Sequence, residues 1–285
     1  MKKTISIIIF IITGKLLIGQ ITIPAGSQKE IDQFLKNTTY VVLKNTFLSD
    51  YNEMIMEAIN EHWDITPVEF IKETDFNKLR SDAGKSFLVI NQVYFEKDKS
   101  KTLFDFLILT NGGNFKTVDE MPTLCGVPLS YHNAPETDYS YKLGLIVKFI
   151  QHHTRICKEN PALNKENIAD YYIQLSGNTK EKTLYVLNDE IDPKIRNKNI
   201  FSQYYPYNFE FTSKEYISQL IKDNDKTAII LHQISPQADS SLTYCIKIII
   251  DTDKALIYYY DMTKINKNNP PFLLIDDLKK LSNKK

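Results

Sequence analysis

The chain says one thing twice, and a tandem duplication limits its fold more tightly than any local propensity. Residues 38–71 contain Thr38-Thr39-Tyr40-Val41-Val42-Leu43, a helical stretch, and then Trp63-Asp64-Ile65-Thr66-Pro67-Val68-Glu69-Phe70-Ile71. Residues 183–217 contain Thr183-Leu184-Tyr185-Val186-Leu187, a helical stretch, and then Phe209-Glu210-Phe211-Thr212-Ser213-Lys214-Glu215-Tyr216-Ile217. An apolar run follows each block, residues 86–90 in the first and 227–231 in the second. Two units of one kind are expected.

In the first unit, Tyr40–Leu43 suits a buried strand. After Asp50, the residues Tyr51, Met54, Ile55, Ala58 and Ile59 form the stripe of an amphipathic helix. Thr66-x-x-Glu69 and Thr212-x-x-Glu215 read as capping boxes, Thr capping a helical amide and Glu reaching back to the cap. Pro67 fits the first position of such a helix. Short strands near residues 63–65 and 207–211 would then run directly into capped helices. Residues 87–91 and 103–109 look like a hairpin, matched in the second unit by residues 228–233, 244–250 and 255–260. The expected fold class is α/β (α+β): two tandem, diverged β-α-β-α-β-β domains with mixed sheets, an extra strand in the second.

The material between the copies is not repeated. Residues 121–138, with Pro122, Pro128 and Pro135, read as an irregular loop. Residues 139–157 and 167–175 read as two helices bridging a pseudo-twofold pair of domains. The expected boundaries are 20–137 for the first domain, 138–178 for the bridge and 179–285 for the second.

Residues 1–19 carry a basic start (Lys2, Lys3), an apolar run Ile5–Ile12 and a small residue, Gly19, before Gln20, the parts of a secretory signal peptide. Lys15 interrupts the apolar stretch, so no clean membrane-spanning segment is expected. A periplasmic or secreted protein cleaved near Gly19-Gln20 is the expectation. Cleavage removes Lys2, Lys3 and Lys15 from 35 basic residues, leaving 32 against 35 acidic ones. Charges of both signs are interspersed, which argues against a nucleic-acid partner. Cys125, Cys157 and Cys245 allow at most one disulfide, and the sequence leaves open whether Cys125 and Cys157 form it.

The usual marks of catalysis are missing. The chain has neither a phosphate-cradling glycine loop nor a nucleophile elbow nor His-Glu-x-x-His. His153 and Cys157 share a helix face beside His152, but no further ligand pair of suitable spacing accompanies them, so no metal and no cofactor is expected. His232 falls in a strand, and Cys125 with His132 makes a weak nucleophile pair. Candidate binding residues are Tyr204, Tyr205, Tyr258, Tyr259 and Tyr260. Strand alternation prevents three consecutive tyrosines from facing inward together, which would leave an aromatic patch for a partner.

The cleavage signal, the Thr-x-x-Glu blocks and the helix Tyr141-Lys-Leu-Gly-Leu-Ile-Val-Lys-Phe-Ile-Gln together resemble a family of exported, periplasmic Bacteroidota proteins, over most of the mature chain. Each copy is also similar to the TolB amino-terminal and CsgG-like α/β domains of envelope-assembly proteins. The resemblance implies an envelope setting and no particular activity. Two functions are expected from the sequence. The first is a non-enzymatic interaction or scaffold protein with an envelope partner. The second is a binding protein for a small ligand, glycan or peptide, or a hydrolase, working in an interdomain groove through carboxylates such as Glu69, Asp105 or Glu210.

Overall fold

The computed structural model describes residues 23–95, 98, 100–236 and 243–283. Residues 1–19, read above as a signal peptide, lie outside the described residues. Elements follow in the order α1 (Gln28–Phe34), β1 (Thr38–Leu43), α2 (Asp50–His62), β2 (Val68–Lys72), α3 (Glu73–Leu79), β3 (Lys85–Val93), β4 (Phe104–Asn111) and β5 (Thr123–Tyr131). Two connecting helices come next, α4 (Leu143–Glu159) and α5 (Ile168–Leu175). The second half is β6 (Thr183–Leu187), α6 (Lys198–Phe201), β7 (Phe209–Thr212), α7 (Lys214–Lys222), β8 (Ala228–Ile234), β9 (Tyr244–Asp251), β10 (Ile257–Lys264) and α8 (Ile275–Ser282).

The sheets run β2-β1-β3-β4-β5 and β7-β6-β8-β9-β10, the same order twice. In each, three parallel strands are followed by two antiparallel ones. The protein is therefore an α/β fold of two similar mixed sheets. The fifth strand belongs to both copies, not to the second alone. Residues 123–131, expected as loop, form β5 because Pro128 sits at a bulge where Leu129 is the extra residue, between the Phe106–Pro128 and Asp105–Ser130 pairs.

Strand register corrects the alignment of the repeat. Tyr40 pairs with Glu69 and Phe87, and Tyr185 with Glu210 and Ile230. Glu69 thus corresponds to Glu210, not Glu215. The first capping box does not form: Glu69 is in mid-strand, and the Thr66 hydroxyl lies 2.6 Å from that of Thr39 while accepting from Trp63 Nε1 at 3.0 Å. The β1 ladder claims residues 68–72 first, and the helix starts only at Glu73. In the second copy Thr212 ends β7, and Ser213 caps α7 by accepting from Tyr216 N. Glu215 lies in the first turn of α7, where its charge suits the helix dipole.

One core runs through both sheets, with α4 at its centre. It joins Val41, Leu88 and Ile55 of the first copy to Ile217, Ile230 and Ile248 of the second. The Gln151 amide of α4 accepts from Asp64 N and Ile65 N and donates to the His62 carbonyl, pinning the α2–β2 connection. At Gly144, α4 crosses α2 and α7 so closely that a Cβ would lie 3.0 Å from Ile221 and 3.2 Å from His62. A pseudo-twofold would join like faces. Instead α2 of the first copy meets α7, the counterpart of α3, with Lys222 paired to Glu57. The opposite face of the second sheet packs Leu184, Val186 and Ile249 against Phe201 of α6 and Leu278 and Leu281 of α8.

Candidate functional site: a cleft at the strand ends

From β1 the chain crosses to β2 on one side and returns to β3 on the other. In open α/β sheets, that reversal leaves a crevice at the carboxyl ends of the two inner strands. A cleft of about 390 Å³ lies there. Its apolar wall comes from Val42 and Leu43 at the end of β1, Val89 and Ile90 of β3, and Phe76 of α3. Its polar groups are Lys44, Glu73, Asn77, Gln92, Asp105, His132 and Asn133.

Three strand ends deliver the central polar group. Gln92 of β3 pairs in register with Asp105 of β4, and His132 directly follows β5. His132 Nδ1 donates to Asp105 Oδ1 at 3.0 Å, and the Gln92 amide nitrogen lies 3.5 Å from His132 Nε2. The carboxylate sets the ring orientation through Nδ1, and in the neutral ring Nε2 is then the acceptor, facing the Gln92 amide. Asn133 follows with φ of 65°, a left-handed conformation that asparagine tolerates, and this turns the chain at the rim.

Lys44 forms the opposite side. It donates to Glu136 Oε1 at 2.7 Å and Tyr139 Oη at 2.9 Å. Burial works against its charge, but these partners outweigh burial and raise its pKa. Glu136 also accepts from Ser49 Oγ and Tyr51 N, each at 2.8 Å, at the start of α2. Burial opposes its ionisation too, and the bonds from Lys44, Tyr51 N and Ser49 hold its carboxyl below the usual range. The Asn45 amide reaches Glu73 at 3.3 Å.

The expected aromatic patch is not there. Tyr205, Tyr258 and Tyr259 are buried, and Tyr204 and Tyr260 are half-buried. Alternation fails because β10 has a bulge between Ile257 and Tyr259. The bulge turns both Tyr258 and Tyr259 toward α8, while Tyr260 packs on the central core. Of the three carboxylates expected in an interdomain groove, Asp105 instead lines this cleft within the first unit. Glu69 and Glu210 are exposed on β2 and β7, edge strands of different sheets.

The other candidates are core groups. His153 donates from Nε2 to the Pro24 carbonyl at 2.8 Å and accepts from the Tyr172 hydroxyl at 3.0 Å, with Cys157 Sγ 3.6 Å away. His232 donates to the Pro128 carbonyl at 2.7 Å, bridging the sheets. Cys125 is buried, so it makes no nucleophile pair with His132, and all three cysteines are free thiols. Among the described residues no cluster suited to a metal ion occurs, and no helix is long and apolar enough to cross a membrane.

Gln92 escaped the sequence reading, and His132 entered it only as a partner for Cys125. Gln92 could have been found by extending the expected hairpin to its Asp105 partner, but His132 depends on β5, which the prolines disguised. No family model, curated protein or solved structure matches this chain.

Proposed function

We propose that this chain is an exported binding protein for a small ligand held in the cleft between the ends of β1 and β3. The Asp105–His132 pair is the observation that carries the reading. It places an oriented, half-exposed acceptor beside an apolar wall, the combination that small-molecule sites use for orientation and for affinity. The chemistry suits a ligand with an apolar body and a hydroxyl or amide donor for His132 Nε2. Export belongs to the proposal and rests on residues 1–19.

The test is a thermal-shift screen of residues 20–285 against envelope sugars and short peptides, with His132→Leu and Asp105→Ala alongside. A ligand at about a hundred times its Kd adds about 2.7 kcal/mol of stability. The expected outcome is stabilisation by one class of compound, lost in both variants. Stabilisation that survives both substitutions, or none from either class, would sink the reading.

The interaction reading keeps one observation. Strand β2 is an unpaired edge of the first sheet, with Glu69 and Phe70 exposed, and an extended segment of an envelope partner could add to it. A pull-down from solubilised envelope with wild type and Phe70→Pro separates the two readings: one reproducible partner lost in the variant supports edge pairing.

A further inference from the structure

A groove apart from the cleft of the proposed function runs between a helix of each copy. About 460 Å³ lies open beside the first turns of α2 and α7. The groove narrows toward the later turns of the same helices, and Met54 and Tyr141 line both parts. First turns meet at one end and later turns at the other, so α2 and α7 lie side by side in the same direction. A trough between two helices is the shape that helix-in-groove recognition uses.

The α2 wall is more acidic than the helix itself needs. Asp50 and Glu53 suit the positive end of the helix dipole, but Glu57 and Glu61 carry the charge on toward the negative end. Glu53, Glu57 and Glu61 stand at i, i+4 and i+8, where like charges repel, and α2 has no lysine or arginine to relieve them. Lys222 of α7 pairs with Glu57. Among the described residues Glu53 has no ion-pair partner. Glu61 lies 3.7 Å from His62, which burial holds at about 4 and so uncharged at neutral pH. Across the groove, Lys214 is already matched by Asp138 at 3.1 Å.

Apolar surface stands at the same end. Phe47 and Leu48, in the loop just before the Ser49 cap of α2, are 100% and 86% exposed. Two neighbouring apolar side chains in water suit an amphipathic partner better than a small hydrophilic cation.

We propose that the α2–α7 groove docks a basic amphipathic helix of a second protein. Lysine or arginine at every fourth position of that helix would match Glu53, Glu57 and Glu61, and its apolar residues would meet Met54 and the Phe47–Leu48 tip. The i, i+4 spacing of the partner repeats that of α2, so the two charge ladders stay in register over about two turns.

The probe is a fluorescein-labelled helical peptide as long as α2, with lysine at every fourth position, leucine after each lysine and alanine elsewhere. It is titrated into the mature chain and read by fluorescence anisotropy, with a glutamine-for-lysine peptide and spermidine as controls. The expected result is saturable binding of the lysine peptide and none of the glutamine peptide. Glu53→Gln with Glu61→Gln should weaken binding about tenfold or more without lowering Tm, because repulsion along α2 is removed. Phe47→Ser with Leu48→Ser should also weaken it at unchanged Tm. Glu159→Gln with Glu166→Gln, exposed at the far end of α4 and beyond it, should bind like wild type, which separates the groove from overall charge. The proposal is overturned if the lysine peptide does not saturate, or if the Glu53 and Glu61 variant binds it like wild type. It is equally overturned if the Glu159 and Glu166 variant loses as much, or if spermidine binds as tightly, which would make the groove a small-cation site.

Discussion

The hydroxyl of Tyr259 donates to Asp277 Oδ1 at 2.6 Å, which fastens the middle tyrosine of β10 to the last helix. Oδ2 of the same carboxylate receives the Lys247 ammonium and Leu274 N. Lys247 is 1% exposed and occupies the place that the apolar Leu107 holds in the first copy, since Gln233 pairs with Lys247 as Ile90 does with Leu107. The second sheet thus carries a buried charge that α8 must neutralise. Burial first, and then the Asp277 charge, push the Tyr259 phenol well above its ordinary value. Asp277→Ala should cost about 3–5 kcal/mol, because a lone ammonium would remain inside. Tyr259→Phe should cost about 1–2 kcal/mol. Urea melts of both variants test the ranking, and equal losses would remove Asp277 as the anchor of α8.

Buried histidines predict the pH response. Burial holds His153 at about 4 and His232 at about 3. An unfolded histidine titrates near 6.5, so below that pH the unfolded chain binds protons that the folded chain refuses. The stability from these residues is complete above pH 6.5 and drains away as pH falls toward 4 and then 3. Each histidine removes up to about 1.4 kcal/mol per pH unit within its window. Urea midpoints at pH 7, 6, 5 and 4 should fall, and His153→Gln should flatten the curve. An unchanged slope in that variant would mean the ring is charged in the folded state.

All three thiols should resist labelling until the protein unfolds. Burial pushes Cys157 up to about 11 and Cys245 to about 12, and raises Cys125 as well, so little thiolate exists at neutral pH. An aromatic disulfide reagent should find no fast thiol in the native protein and three in urea. One thiol in urea instead of three would reveal a disulfide.

The periodic parts of the fold were legible and the interrupted parts were not. The stripe Tyr51, Met54, Ile55, Ala58 and Ile59 gave α2 directly, and its buried residues match that face. The run 38–43 gave β1 for the same reason. Residues 66–69 misled because Thr-x-x-Glu is a local capping pattern, while pairing with β1 is a non-local gain that no local pattern announces. Bulges had the same effect at Tyr258 and near Pro128, since a single extra residue inverts every inference drawn from alternation. The candidate site suffered most. Its polar groups come from helix α3 and from the ends of β1, β3, β4 and β5, and of the carboxylates named from the sequence Asp105 is the one found there.

Residues 136–142 bond to Lys44 of the first cleft and line a second one, of about 210 Å³ at the carboxyl ends of β6 and β8, and they should behave as one strap. Glu136 and Tyr139 hold Lys44 at the first cleft, while Asp138 holds Lys214 and Lys142 holds Glu190 at the second. The Lys44–Glu136 pair is partly exposed, so Lys44→Met should cost only about 1 kcal/mol overall. Lys142 is fully buried, and Glu190→Gln should cost more, by leaving its ammonium without a counter-charge. Tight 3-10 turns at Glu136–Asp138 and Ser140–Lys142 leave little slack between the two anchors. Amide hydrogen exchange after Lys44→Met should therefore quicken across residues 136–142 and at the start of α7, residues 214–216, while α8 stays protected. Faster exchange confined to residues 44–51 and 136 would show that the clefts are mechanically independent. Spread to residues 214–216 would mean that a ligand pulling on Lys44 in one cleft changes the lining of the other.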